Sequence, residues 1–118
     1  MARSLILIAV IVLVLGGLFF VLRPDTPAAG PRDRTFDLSI EGGEMSPSDI
    51  SVNEGDRVTF RVTSDKPMEF HMHGYDVERE VSPGQKATLH FTADLTGRFE
   101  IENHETEEEL GVLEVRPR

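Results

Sequence analysis

The stretch Gly97-Arg98-Phe99-Glu100-Ile101-Glu102-Asn103-His104 decides the fold. Phe99 and Ile101 alternate with Arg98, Glu100 and Glu102, which is the period of a strand buried on one face and wet on the other. The strand ends on two polar residues, Asn103 and His104, and an acidic run, Glu105 to Glu109, follows. That run reads as a solvated loop. The whole chain contains no cysteine, so neither a disulfide nor a thiolate ligand is available to it.

Working outward, the same alternation recurs. Phe36, Leu38 and Ile40 share a face opposite Asp37, Ser39 and Glu41; Val58, Phe60 and Val62 lie opposite Arg57, Thr59, Arg61 and Thr63. Leu89 with Phe91, and Leu113 with Val115, repeat it. Turn signals separate these runs at Gly42-Gly43, Asn53-Glu54-Gly55-Asp56, Ser64-Asp65-Lys66-Pro67, Ser82-Pro83-Gly84 and Thr96-Gly97. Short strands at such intervals, with no helical period among them, predict an all-β antiparallel sandwich or barrel.

The head of the chain is of another kind. Leu5 to Leu22 is an apolar run flanked by Arg3 and Arg23. As a helix of about 18 residues it spans roughly 27 Å, close to a bilayer core. A secretory signal has a shorter apolar region and a small-residue cleavage site, so residues 1–23 fit an uncleaved anchor better than a removed signal. Residues 24–34 have the Pro/Gly/Ala composition of a flexible linker, and residues 35–118 form one small domain. A domain of that size buries about 60–65% of its unfolded surface, enough for a compact sandwich. The positive-inside count puts this domain outside the cytoplasm, facing the periplasm or cell exterior, or secreted if the head is cleaved. The chain has a net charge of −9, and its surplus of acids lies in the domain, which argues against nucleic acid or an anionic lipid surface as partner.

Three stretches, taken together, resemble the cupredoxin family. Met45 to Phe60 resembles its opening, with Pro47, Ile50, Val52, Gly55-Asp56 and Val58 at the family's spacing. Phe70-His71-Met72-His73-Gly74-Tyr75-Asp76 falls where the family carries its first ligand histidine. Val81-Ser82-Pro83-Gly84, Leu89-His90-Phe91 and Gly97-Arg98-Phe99 resemble the descent to its ligand loop. The likeness covers nearly all of residues 36–116. It implies a Greek-key β-sandwich behind one transmembrane helix, of the membrane-anchored bacterial envelope type with a His-x-His-Gly-Tyr-Asp segment.

The departures from the family limit the chemistry. Blue copper needs two histidines and a cysteine thiolate. Asn103 stands where the resemblance places the cysteine, and the Glu105–Glu109 run replaces the second histidine. Blue-copper electron transfer and a binuclear copper centre are therefore out. His71 and His73, two apart on a strand, leave the same face, while Met68, Phe70 and Met72 leave the other. The resembled fold brings the Asn103-His104 turn to the same pole, so His71, His73 and His104 form a candidate three-nitrogen metal site for copper or zinc. Glu102 or Glu105 is available to add an oxygen. His90 belongs with Thr88 and Thr92 on the surface.

No nucleophile motif or phosphate-cradling loop occurs, and the protein is expected not to be an enzyme. Two functions stay open. One is a membrane-anchored copper-binding domain that holds or passes metal. The other is a metal-free sandwich that serves as an interaction module beside a protein partner in the envelope.

Overall fold

The structure is a computed structural model describing residues 1–23 and 29–118. One helix, α1 (Ala2–Val21), precedes nine strands: β1 (Asp33–Glu41), β2 (Glu44–Ser46), β3 (Asp49–Asn53), β4 (Arg57–Ser64), β5 (Met68–Met72), β6 (Val77–Val81), β7 (Ala87–Thr92), β8 (Gly97–Asn103) and β9 (Glu108–Arg116). The helix has 20 residues and is long and apolar enough to cross a membrane. Of the expected linker, residues 24–28 lie outside the described residues. The strand β1 opens at Asp33, two residues ahead of the expected domain start.

The strands form a sandwich of two sheets, β2-β1-β4-β7 and β3-β9-β8-β5-β6. The alternation seen in the sequence builds the space between them. Leu38, Ile40, Val58, Phe60 and Val62 from the first sheet meet Phe70, Met72, Ile101, Leu113 and Val115 from the second, all nearly inaccessible to water. Phe60 sits at the centre, with its ring edge-on to Phe36, Phe70 and Phe91 at 6.0, 6.2 and 5.2 Å between centroids. Each fully buried side chain of this size contributes about 1.5–3 kcal/mol, and edge-to-face rings add to that.

Two pairings differ from the expected antiparallel pattern. β1 runs parallel to β4 along its whole length, and β3 runs parallel to β9. Parallel neighbours need crossover connections. The chain supplies them by leaving the first sheet after β2, placing β3 in the second, and returning to the first with β4. Close packing accompanies this crossing. A Cβ on Gly111 would lie 2.3 Å from the backbone oxygen of Ser48, so only glycine fits there.

The expected solvated loop is shorter than the acidic run. Glu105 to Glu107 are exposed in a turn, with Glu107 in the left-handed region at φ 57°. Glu108 and Glu109 already belong to β9, opposite Asn103 and Glu102.

At the opposite end of the sandwich lies a buried carboxylate. Asp56, with no exposed surface, accepts the backbone N–H groups of Asn53 and Arg32, both at 3.0 Å. The Arg118 guanidinium lies on the same carboxylate and also donates to the carbonyls of Glu54 and Ala29. Burial would raise the Asp56 carboxyl, but the two N–H donors and the nearby arginines outweigh it and hold it below the usual range. One residue thus ties both the entry to the domain and its C-terminal residue to the β4 turn.

Candidate metal centre

The site follows from the alternation in β5. Met68, Phe70 and Met72 fill the core, so Glu69 and His71 leave the outer face of the five-stranded sheet. His73 follows on that side, just past the strand, with its N–H donating to the Glu100 carbonyl at 3.0 Å. β5 lies between β8 and β6, and His71 stands directly opposite Glu102 on one side and Glu78 on the other. His104 follows the last residue of β8, and its N–H donates to the Glu69 carbonyl at 2.9 Å. Local backbone geometry therefore brings all three expected histidines to one place.

The turn that carries His73 is held on both sides. Gly74 has φ 83°, and a Cβ there would lie 2.4 Å from the Phe99 ring. The Tyr75 hydroxyl donates to the Leu95 carbonyl at 2.7 Å and accepts the Leu95 N–H at 3.0 Å.

Glu102 is the hub. Its Oε1 lies 2.7 Å from His73 Nε2, 3.3 Å from His71 Nδ1 and 3.7 Å from His104 Nδ1. The His71 ring is 4.6 Å from that of His73 and 5.1 Å from that of His104, between centroids. His71 is 9% exposed, whereas the side chains of His73 and His104 are about half exposed, at 48% and 51%. The cluster is thus deep at His71 and open to solvent at the other two rings. The bond from His71, then that from His73, lowers the Glu102 carboxyl below its ordinary value, against a smaller opposing effect of burial. Among the described residues no Lys or Arg pairs with Glu102.

Two overlapping sets of side chains have donor atoms within 4.8 Å of one another: His71, His73 and Glu102, and His71, Glu78 and His104. Imidazole nitrogen and carboxylate oxygen suit copper(II) and zinc. The donor set is of the kind such an ion takes. It contains no sulfur, because Met68 and Met72 are buried on the other side of β5.

The location differs from the expected one. The cluster stands on the outer face of a sheet rather than within the pole of the sandwich. Asn103 alternates with Glu102 along β8 and so leaves the other face. Its Oδ1 accepts the Glu105 N–H at 3.1 Å. It lines a cleft of about 570 Å³ with Met68, Pro67 and Leu110, at the mouth of the sandwich. The position of the missing thiolate and the three histidines therefore lie on opposite sides of one strand. Glu105 donates only its backbone to this turn and belongs to neither set of donors. His90, on the four-stranded sheet, meets Thr59 Oγ1 at 3.0 Å and takes no part. Glu78 was not signalled by the sequence, because Val77-Glu78-Arg79-Glu80-Val81 shows no period-two alternation of apolar residues.

With this geometry in view, comparison with known proteins places the fold. The cupredoxin-like domain matches over residues 9–115. The chain belongs to the cupredoxin-like domain family. No curated relative matches it. Among solved structures it is similar to the multicopper oxidase mgLAC, with 22% identity, a TM-score of 0.60 and coverage of 73% of this chain and 39% of that one. It is similar to the blue copper oxidase from Nitrosomonas europaea at 26% identity, with the same TM-score and coverage. This cupredoxin-like chain thus spans about two fifths of the oxidase chains it matches. It is also similar to a chain of a heme-copper terminal oxidase dimer, at 16% identity and a TM-score of 0.61, over 98% of this chain and 100% of that one.

Proposed function

We propose that the protein is a membrane-anchored, extracytoplasmic domain that binds copper, in preference to zinc, through His71, His73 and His104, with Glu102 adding an oxygen. Its role is to hold or pass metal. It is neither an enzyme nor a blue-copper electron carrier. The observation that carries this reading is the hub: one carboxylate oxygen within 3.7 Å of three imidazoles. Copper(II) heads the divalent affinity order for such donors. Half-exposed His73 and His104 leave a route by which metal can arrive and depart. The absent thiolate and the buried methionines favour the divalent ion over copper(I).

The test is titration of the detergent-solubilised chain with copper(II), followed by calorimetry and electron paramagnetic resonance. One equivalent with a nitrogen-rich spectrum and no intense blue absorption is expected. The double substitution His71→Ala and His73→Ala is expected to lower affinity at least a hundredfold, and an unchanged affinity would sink the ligand assignment.

A second reading rests on a separate observation. The chain matches a chain of a heme-copper terminal oxidase dimer nearly end to end. On that reading the domain is a metal-free module bound beside a larger envelope complex. It would migrate on native gels of mild-detergent membranes as part of a larger species, and the histidine substitutions would leave that species intact.

A further inference from the structure

His71 faces a carboxylate at each of its two ring nitrogens. Nδ1 lies 3.3 Å from Glu102 Oε1, and Nε2 lies 3.5 Å from Glu78 Oε1. The side chain is 11% exposed, so water has little room to mediate. A neutral imidazole carries one N–H donor and one lone pair. Whichever nitrogen lacks the proton aims its lone pair at an anionic oxygen, which is repulsive. The arrangement becomes favourable when each nitrogen carries a positive partner, either two protons or a proton and a metal cation. The two sides are unequal. The inequality is one of depth: His73 converges with Glu102, which is nearly buried, whereas Glu78, which groups with His104, is half exposed.

We propose that Glu78 is the positioning residue of the metal centre: it holds the Nε2–H of His71 so that Nδ1 faces a divalent cation shared with His73 and Glu102. This rests on the metal-binding reading above and narrows its ligand set to His71, His73 and Glu102. A metal-bound histidine ordinarily donates its second N–H to a carboxylate or carbonyl, which fixes the ring and its tautomer. Here the backbone supplies that partner. Among the described residues β6 is an edge strand hydrogen-bonded only to β5, and its register sets Glu78 directly opposite His71. Glu102, opposite on the other side, takes the ligand role. His71 therefore stands between a carboxylate that binds metal and one that orients the ring.

The experiment uses the full chain in detergent with zinc(II) as a diamagnetic probe, read by long-range nitrogen–proton correlation of the imidazoles. On loading, His71 is expected to show a coordination shift at Nδ1 while Nε2 stays protonated. Glu78→Ala is expected to lower zinc and copper(II) affinity ten- to hundredfold and to speed exchange of the Nε2 proton. Glu78→Gln, whose amide oxygen accepts the same proton, is expected to restore most of the affinity. Coordination through Nε2 would overturn the proposal. So would a second bound zinc that both Glu78 variants abolish, since Glu78 would then be a ligand. Wild-type binding unaffected by Glu78→Ala defeats this inference alone. Failure of the wild type to bind zinc or copper defeats the metal-binding reading, and this inference with it.

Discussion

Asp56 and Glu102 are both carboxylates ringed by donors, at opposite ends of one sandwich, and they have opposite characters. Asp56 is met by two backbone N–H groups and a guanidinium, donors that never lose their protons under ordinary conditions. Glu102 is met by three imidazoles, each able to exchange a proton for a metal ion. Both carboxyls are lowered. The permanent donors make a clasp, and the exchangeable ones make a site. Number of contacts does not separate structure from function here; the chemistry of the donors does.

The largest effect should come from breaking the clasp. Asp56→Ala leaves two N–H groups and a guanidinium without their acceptor, and removing one member of such a buried set costs about 3–5 kcal/mol. For a domain of this size the loss lowers the unfolding temperature by roughly 15 °C or more, measurable by circular dichroism. Copper affinity at 15 °C, where the fold persists, should stay within about threefold of wild type. A loss of metal binding as large as that from histidine removal would erase the distinction between the two ends.

Next in size is Gly74→Ala. The residue has φ 83°, and its new methyl would strike the Phe99 ring. Strain of this kind costs about 1–3 kcal/mol. Because the turn also places His73, stability and metal affinity should fall together, unlike in the Asp56 variant. A stability loss with full copper affinity would show that His73 tolerates displacement.

How much of this was legible in the chain depends on the range of the signal. Alternating residues such as Val58, Phe60 and Val62 announce strands because burial acts residue by residue on one strand. The shared face of His71 and His73 was legible for the same reason. Which strands become neighbours is set by the crossing of the chain between sheets, and no local alternation encodes it, so the parallel β1–β4 and β3–β9 pairs were not anticipated. Glu78 was hidden because β6 is polar at three successive positions on an open edge. Asp56 was read as part of a turn, since its partners Arg32 and Arg118 are 24 and 62 residues away. The three histidines do lie together, but on the outer face of the second sheet. The resemblance aligned them with a ligand position, but the parity of β8 sends Asn103 and Glu102 to opposite faces.

A smaller effect tests the hub itself. Glu102→Gln keeps the shape and one acceptor oxygen but removes the charge that the imidazoles surround. Copper(II) affinity should fall roughly tenfold, in line with loss of one oxygen ligand or its charge, while His71 and His73 keep the ion bound. Calorimetry at fixed pH measures it. If affinity were unchanged, the three histidines alone would hold the metal and Glu102 would be only their counter-ion in the metal-free chain.

The smallest effect lies in acid. Both carboxyls are lowered in the folded protein, so each adds stability that is complete above its unfolded value and is lost as pH falls through the lowered folded value. For Asp56 the unfolded reference is 3.8 and for Glu102 it is 4.5, and both losses lie on the acid side of neutrality. Asp56→Asn and Glu102→Gln should each flatten the fall of the unfolding temperature below those values, because a neutral amide has no proton to take up. The comparison sharpens when zinc is added. Metal at the hub competes with protons for Glu102 and its imidazoles but has no contact with Asp56. Zinc should therefore raise the unfolding temperature of wild type and of Asp56→Asn alike just above the acid transition. It should raise that of Glu102→Gln less. Equal protection of all three chains would locate the ion away from Glu102.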